Sequence, residues 1–151
     1  MISRFERFSF AISEIYRYWH KIAADEMEKY DLKGPYAVYL TTMYRFPKGI
    51  TSTQLSELCG RDKADVSRAI AAMEQKGMVK KESVNQNYYR ALISLTDNGQ
   101  QAAEHVRQRA DLAVAKAGGG ISEENRAIFY EVLEHIASNL QTISSEGLPR
   151  L

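Results

Sequence analysis

The sequence predicts a mainly α-helical protein with one small β-hairpin, and three observations point that way. Apolar residues recur at three- and four-residue spacing near both ends of the 151-residue chain, the signature of amphipathic helices. Between residues 78 and 95 the pattern changes to strand chemistry on either side of Asn85-Gln86-Asn87. Breakers at Gly34-Pro35, Pro47-Lys48-Gly49, Cys59-Gly60 and Gly77 cut the middle of the chain into short pieces.

The first helix is expected from Ser3 to about Lys29, where Phe5, Phe8, Ile12, Ile15, Tyr16, Trp19, Ile22 and Ala23 form one stripe. Gly34-Pro35 stops it and starts the second, since proline suits a first helical turn. That helix carries Val38, Tyr39, Thr42, Met43 and Phe46. Thr51 or Ser52 caps a short third helix, Thr53 to Leu58, with Leu55 and Leu58 facing inward. Asp62 is the expected N-cap of a fourth helix, Ala64 to Lys76, with Asp65 completing a capping-box-like pair. Gly77 then takes the position that favours a left-handed backbone. Met78–Val84 and Tyr88–Leu95 are the two strands, joined by a turn at Asn85-Gln86-Asn87, with Tyr89, Ala91, Ile93 and Leu95 on one face. A fifth helix opens at Thr96-Asp97 and runs to about Ala117, ended by Gly118-Gly119-Gly120. Ser122 caps the last, whose Phe129, Val132, Leu133, Ile136, Leu140 and Ile143 repeat like a coiled-coil seam.

Composition narrows the class. At 44% hydrophobic and 26% charged the chain has the balance of a globular protein. No stretch approaches the roughly 18 apolar residues of a membrane span, and no signal peptide is expected from the charged N-terminal run. The single cysteine, Cys59, fits a reducing cytoplasm. It and the scattered His20, His105 and His135 offer no metal-ligand spacing, and no cofactor is expected. No Ser-His-Asp order or clustered carboxylates point to an enzyme, and the glycine run lacks the lysine of a phosphate loop. The net charge of +1 divides unevenly: residues 61–96 carry 7 Lys/Arg against 4 Asp/Glu, and residues 97–151 carry 5 against 8. A basic middle is what a polyanion-binding module would show.

Long helices at both ends are more than a core this small needs for cover. Their stripes, with Phe5, Phe8 and Ile12 in one and Phe129, Leu133, Ile136 and Leu140 in the other, are better satisfied against a second copy, so a two-fold homodimer is expected.

Four groups of residues, in this order and at these distances, resemble the MarR (multiple antibiotic resistance regulator) winged-helix transcription factors. They are Ser52-Thr53-Gln54-Leu55; Asp62 with Val66-Ser67-Arg68; Met73-Glu74 with Gly77-Met78-Val79; and Leu95-Thr96-Asp97-Asn98-Gly99. The resemblance covers nearly the whole chain. It implies one MarR-like domain over residues 1–151, a winged helix-turn-helix lobe at 34–96 flanked by dimerisation helices at 1–33 and 97–151. One departure stands at the wing tip, where family members typically carry Asp-Arg-Arg. Here Asn87-Tyr88-Tyr89 occupies that place, followed by Arg90. A wing arginine normally enters the minor groove, so Arg90 or Tyr88 is the candidate for that role.

The fourth helix has the chemistry for double-stranded DNA. Its N-terminus presents free N–H groups to phosphate, and the short side chains of Ala64 and Ser67 allow close approach to the bases. Arg68 suits a guanine as a bidentate donor; Asp65 caps the helix or accepts from a cytosine. Ser52, Thr53, Gln54, Lys63, Lys80 and Lys81 complete the expected DNA-facing set, the lysines and Thr53 as phosphate contacts. The resemblance further implies a repressor of a pseudo-palindromic operator, released by a small aromatic ligand. Tyr16, Arg17, Trp19, His20, Tyr36 and Tyr39 have suitable chemistry for an aromatic carboxylate, and the same rings equally suit an apolar dimer core. Two alternatives remain open at this level. One is a winged helix used only for protein–protein contact. The other is redox sensing through Cys59, which against this stands at the end of the third helix rather than in the first.

Overall fold

The computed structural model describes residues 1–84 and 87–150, the side chains of 87–90 excepted. The order is α1 (Arg4–Glu28), a 3-10 turn (Gly34–Tyr36), α2 (Ala37–Tyr44), α3 (Ser52–Cys59), α4 (Lys63–Gln75), β1 (Val79–Val84), β2 (Asn87–Leu95), α5 (Asp97–Ala117) and α6 (Glu123–Glu146). The mainly helical class with one antiparallel hairpin is therefore as expected. The chain divides into two compact units, Met1–Asp111 and Leu112–Leu151.

Local chemistry sets most boundaries. Ser3 and Glu6 form a reciprocal capping box at the start of α1, the Ser3 hydroxyl accepting from the Glu6 amide at 3.1 Å and the Glu6 carboxylate from the Ser3 amide at 2.8 Å. Thr51, not Ser52, caps α3, again reciprocally with Gln54. Asp62 caps α4 by accepting from the Asp65 amide at 2.8 Å. The expected return bond from Asp65 is not made, because that carboxylate is used elsewhere. At the far end of α4, Gly77 sits at φ 72°, with Met78 N–H donating to Met73 and Gly77 N–H to Glu74. These are the two bonds of a Schellman cap. Ser122 caps α6 by accepting from the Asn125 amide.

One core lies inside the first unit. Leu40 and Met43 of α2, Leu55 of α3, Val66 and Ile70 of α4, and Ile93 of β2 are essentially inaccessible. Ile50, in the loop before α3, adds a bridge outside the hairpin by exchanging two backbone hydrogen bonds with Ile93, at 2.9 and 2.8 Å. The hairpin pairs Val79 with Leu95 and Lys81 with Ile93, and shifts register between Glu82 and Val84. Asn87 belongs to β2 and pairs with Val84, so the strand begins one residue before the expected Tyr88 and Asn87 is not part of the expected Asn85-Gln86-Asn87 turn, whose first two residues lie outside the described residues.

Leu58 corrects the reading of α3: it is 54% exposed, while Leu55, Ser56 and Cys59 turn inward. At 100° per residue those three span a narrow arc and Leu58 falls beside it. A helix of eight residues carries too few apolar positions to fix its own phase.

The wing root is joined tightly to α5. Thr96 Oγ1 donates to the Gly77 carbonyl at 2.6 Å and accepts from the Gly99 amide at 3.1 Å. A Cβ on Gly99 would stand 1.9 Å from the Met78 carbonyl oxygen, so only glycine fits. Further along α5, Arg109 Nε donates to Glu26 of α1 at 3.0 Å, and Lys29 (2.5 Å) and His105 (3.3 Å) meet the same carboxylate. The Lys29 bond and the Arg109 contact hold the Glu26 carboxyl below its ordinary value, against the opposing effect of burial.

Candidate nucleic-acid interface

The two faces of α4 divide cleanly. Val66, Ala69, Ile70 and Met73 are buried, while Lys63, Ala64, Ser67, Arg68 and Ala71 are exposed. The exposed face therefore offers two basic groups among small side chains, starting at the positive end of the helix dipole. Ala71 continues this face one turn beyond Ser67 and Arg68. It was missing from the sequence-derived set, although the helical period from Ala64 through Ser67 leads to it.

The other candidates surround this face unequally. Thr53 is exposed at the start of α3 and Ser52 is half-buried beside it. Gln54 is exposed too, yet its side-chain oxygen already accepts from the Thr51 amide at 3.0 Å. Lys80 and Lys81 are exposed on β1, and Lys80 pairs with Glu82 at 3.2 Å. The side chains of Tyr88 and Arg90 lie outside the described residues.

Asp65 departs from the capping role expected of it. It does not cap α4. Instead one carboxylate oxygen, Oδ2, accepts from the hydroxyl of Tyr39, a residue of α2 with no exposed surface. The other, Oδ1, stands 3.7 Å from Arg68 Nη2 one turn further on. Burial, then the hydrogen bond to Asp65 and its negative charge, push the Tyr39 hydroxyl well above the usual tyrosine range. Tyr39 therefore stays a neutral donor at any physiological pH. No sequence signal leads to this link, because the partners are 26 residues apart.

The aromatic candidates separate into two sets. Tyr16 is exposed and His20 half-buried on α1, their ring centroids 4.0 Å apart, and Arg17 lies over the neighbouring Tyr18 ring. Trp19 lines a small recess of about 50 Å³ with Ile22, Glu26 and Val106. Tyr36 and Tyr39 lie together in the core, 6.4 Å between centroids, and are closed to solvent. Cys59 is half-buried with Sγ 3.5 Å from Thr42 Oγ1. Among the described residues no cluster of metal-binding side chains occurs, and no helix is long and apolar enough to cross a membrane.

Comparison with known proteins gives this geometry a context. The sequence model of the MarR family matches residues 30–87, which take in α2, α3, α4 and the first strand. The chain is 26% identical over 106 residues to the HTH-type transcriptional regulator YdgJ of Bacillus subtilis (strain 168), itself uncharacterized, covering 70% of this chain and 64% of that one. It thus spans less than two thirds of that relative's length. Among solved structures, a MarR transcriptional regulator from Methanosarcina mazei Go1 superposes with a TM-score of 0.79 at 23% identity, covering 91% of this chain and 99% of the other. The MepR–DNA complex of S. aureus gives 0.79 at 20% identity, over 87% and 97%. The relatives so described are transcriptional regulators, not enzymes. With its middle matched by the MarR family's sequence model and its architecture shared over nine tenths of its length, the chain has the winged helix-turn-helix fold of the MarR regulators it resembles.

Proposed function

We propose that the protein is a sequence-specific DNA-binding transcriptional regulator that works as a homodimer in the cytoplasm. The observation that carries this reading is the outward face of α4, where Lys63, Ala64, Ser67 and Arg68 stand together on a helix fixed from behind by its buried face. The S. aureus relative with the same fold is solved bound to DNA, which supports the same partner here. Dimerisation is supported by the stripe of α1 and, separately, by that of α6: Phe8, Ile12, Phe129 and Leu140 are all exposed in the single chain. Each α4 would enter a major groove, with half-sites about one helical turn apart. A dimer lying across successive grooves occludes the DNA beneath it, so the reading is of a repressor.

Release by a small aromatic anion belongs to the same reading. The accessible cations and rings for it are on α1, at Tyr16, Arg17, Trp19 and His20, since Tyr36 and Tyr39 are closed off. Calorimetric titration with simple phenolic acids checks that ligand class; no heat and no change in operator affinity would remove it.

Selection of bound sequences from random duplex DNA tests the main reading. It should enrich a palindrome with half-sites about ten base pairs apart. On that site Arg68→Ala should cost roughly 1–3 kcal/mol and relax preference at one position, whereas Lys81→Ala should weaken all sequences about equally. Loss of both distinctions, or no enrichment, overturns the proposal.

A further inference from the structure

Asp65 stands between a buried tyrosine and an exposed arginine, with one oxygen hydrogen-bonded to the first and the other 3.7 Å from the second. Its backbone amide is spent on the Asp62 cap, so the cap makes no demand on its carboxylate. Its Oδ2 is held by the Tyr39 hydroxyl from inside the lobe, and its Oδ1 faces Arg68, whose side chain is 67% exposed. An exposed arginine samples many rotamers, and ordering it on DNA costs side-chain entropy. An ion pair this exposed adds little stability of its own. Its effect is directional: a carboxylate that cannot swing away restricts where the guanidinium goes. The same negative charge disfavours phosphate nearby, which leaves the base edges as the better partner for Arg68.

We propose that Tyr39 and Asp65 are positioning residues for base reading, the Tyr39 hydroxyl fixing the Asp65 carboxylate so that it aims Arg68 into the major groove. This rests on the DNA-reading function proposed above. Tyr39 belongs to α2, so a residue of the lobe interior takes part in sequence choice without touching DNA.

The test compares full-length wild type, Tyr39→Phe, Arg68→Ala and the double variant on duplexes that differ from the selected site at single positions. Tyr39→Phe should lower discrimination roughly five- to tenfold, within the span of one bidentate contact, at the position that Arg68→Ala affects. Its salt dependence should match wild type, because no phosphate contact is lost. In the Arg68→Ala background Tyr39→Phe should change nothing further, the non-additivity expected when one residue acts through the other. Equal weakening on every duplex in both backgrounds would mean a purely structural role and overturn the proposal, as would unchanged discrimination. Should Tyr39→Phe fail to fold, Asp65→Asn decides: its amide oxygen still accepts from Tyr39 but puts no charge beside Arg68, so undiminished discrimination there sinks the idea. A wild type without any base preference would instead refute the function itself, which separates the two failures.

Discussion

The stretch from α2 to β2 and the terminal helices carry similar apolar periodicity, yet they end differently. In the lobe each apolar face meets another face of the same chain: Leu40, Leu55, Ile70 and Ile93 come from four elements and leave almost no surface exposed. Along α1 the stripe from Phe5 to Ile22 stays open, with Phe5 76% exposed, and α6 has no buried residue at all. Amphipathic spacing therefore says that a face needs cover and says nothing about which molecule provides it. The lobe is closed within one chain; the helices have surfaces suited to closing between chains.

Experiments can break that contrast or sharpen it. The largest effect is expected from ending the chain after Gly120, which removes α6. The product should be a poorly soluble monomer by light scattering, and a soluble dimer would place the subunit contact elsewhere. Next come paired truncations of single side chains. Ile70→Ala should lower folding stability by about 2–5 kcal/mol in denaturant titration while leaving the dimer dissociation constant unchanged. Phe8→Ala should do the reverse, weakening self-association roughly tenfold, about 1.4 kcal/mol, by sedimentation. If both variants act on folding alone, the distinction between the two regions fails.

A smaller effect is expected at Glu26, which ties the end of α1 to α5 and is faced by Lys29, Arg109 and His105, with Tyr30 against the His105 ring. Because its carboxyl is held below the ordinary value of 4.5, its contacts stabilise the fold above that value and are lost as the pH falls through the lowered one. Glu26→Gln should therefore cost about 1–2 kcal/mol at neutral pH, reduced by the partial exposure of its partners. The difference from wild type should close as the pH falls through that lowered value, as thermal melting across pH would show. Smallest of all is Leu58→Ser, which should stay within about 0.5 kcal/mol because that side chain is already in water.

How much of this was legible beforehand depended on range. Caps are written within four residues, and Thr51, Asp62, Gly77 and Ser122 act where the sequence placed them. The phase of a long helix is legible as well: Val66, Ile70 and Met73 bury as the period requires. Leu58 misled because one turn of a short helix leaves the phase undetermined. Glu26 with Arg109 and Tyr39 with Asp65 were illegible for a different reason, since nothing in a linear pattern shows that residues 83 or 26 positions apart will meet. In the candidate interface, the outward residues of α4 were found and the support behind them was not. The spacing of Asp65 from Asp62 fits a cap, and only packing shows that a tyrosine reaches its carboxylate.

The contact between Gly99 and the Met78 carbonyl has a mechanical consequence. Two elements pressed together at an alpha carbon, and pinned by Thr96 on either side, leave no slack for a pivot. Any tilt of the first turn of α5 is passed undiminished to the root of the hairpin, as through a welded elbow. The amides of Thr96 and Gly99 should then exchange hydrogen as slowly as those of the lobe core, and Gly99→Ala, by forcing the weld apart, should speed both.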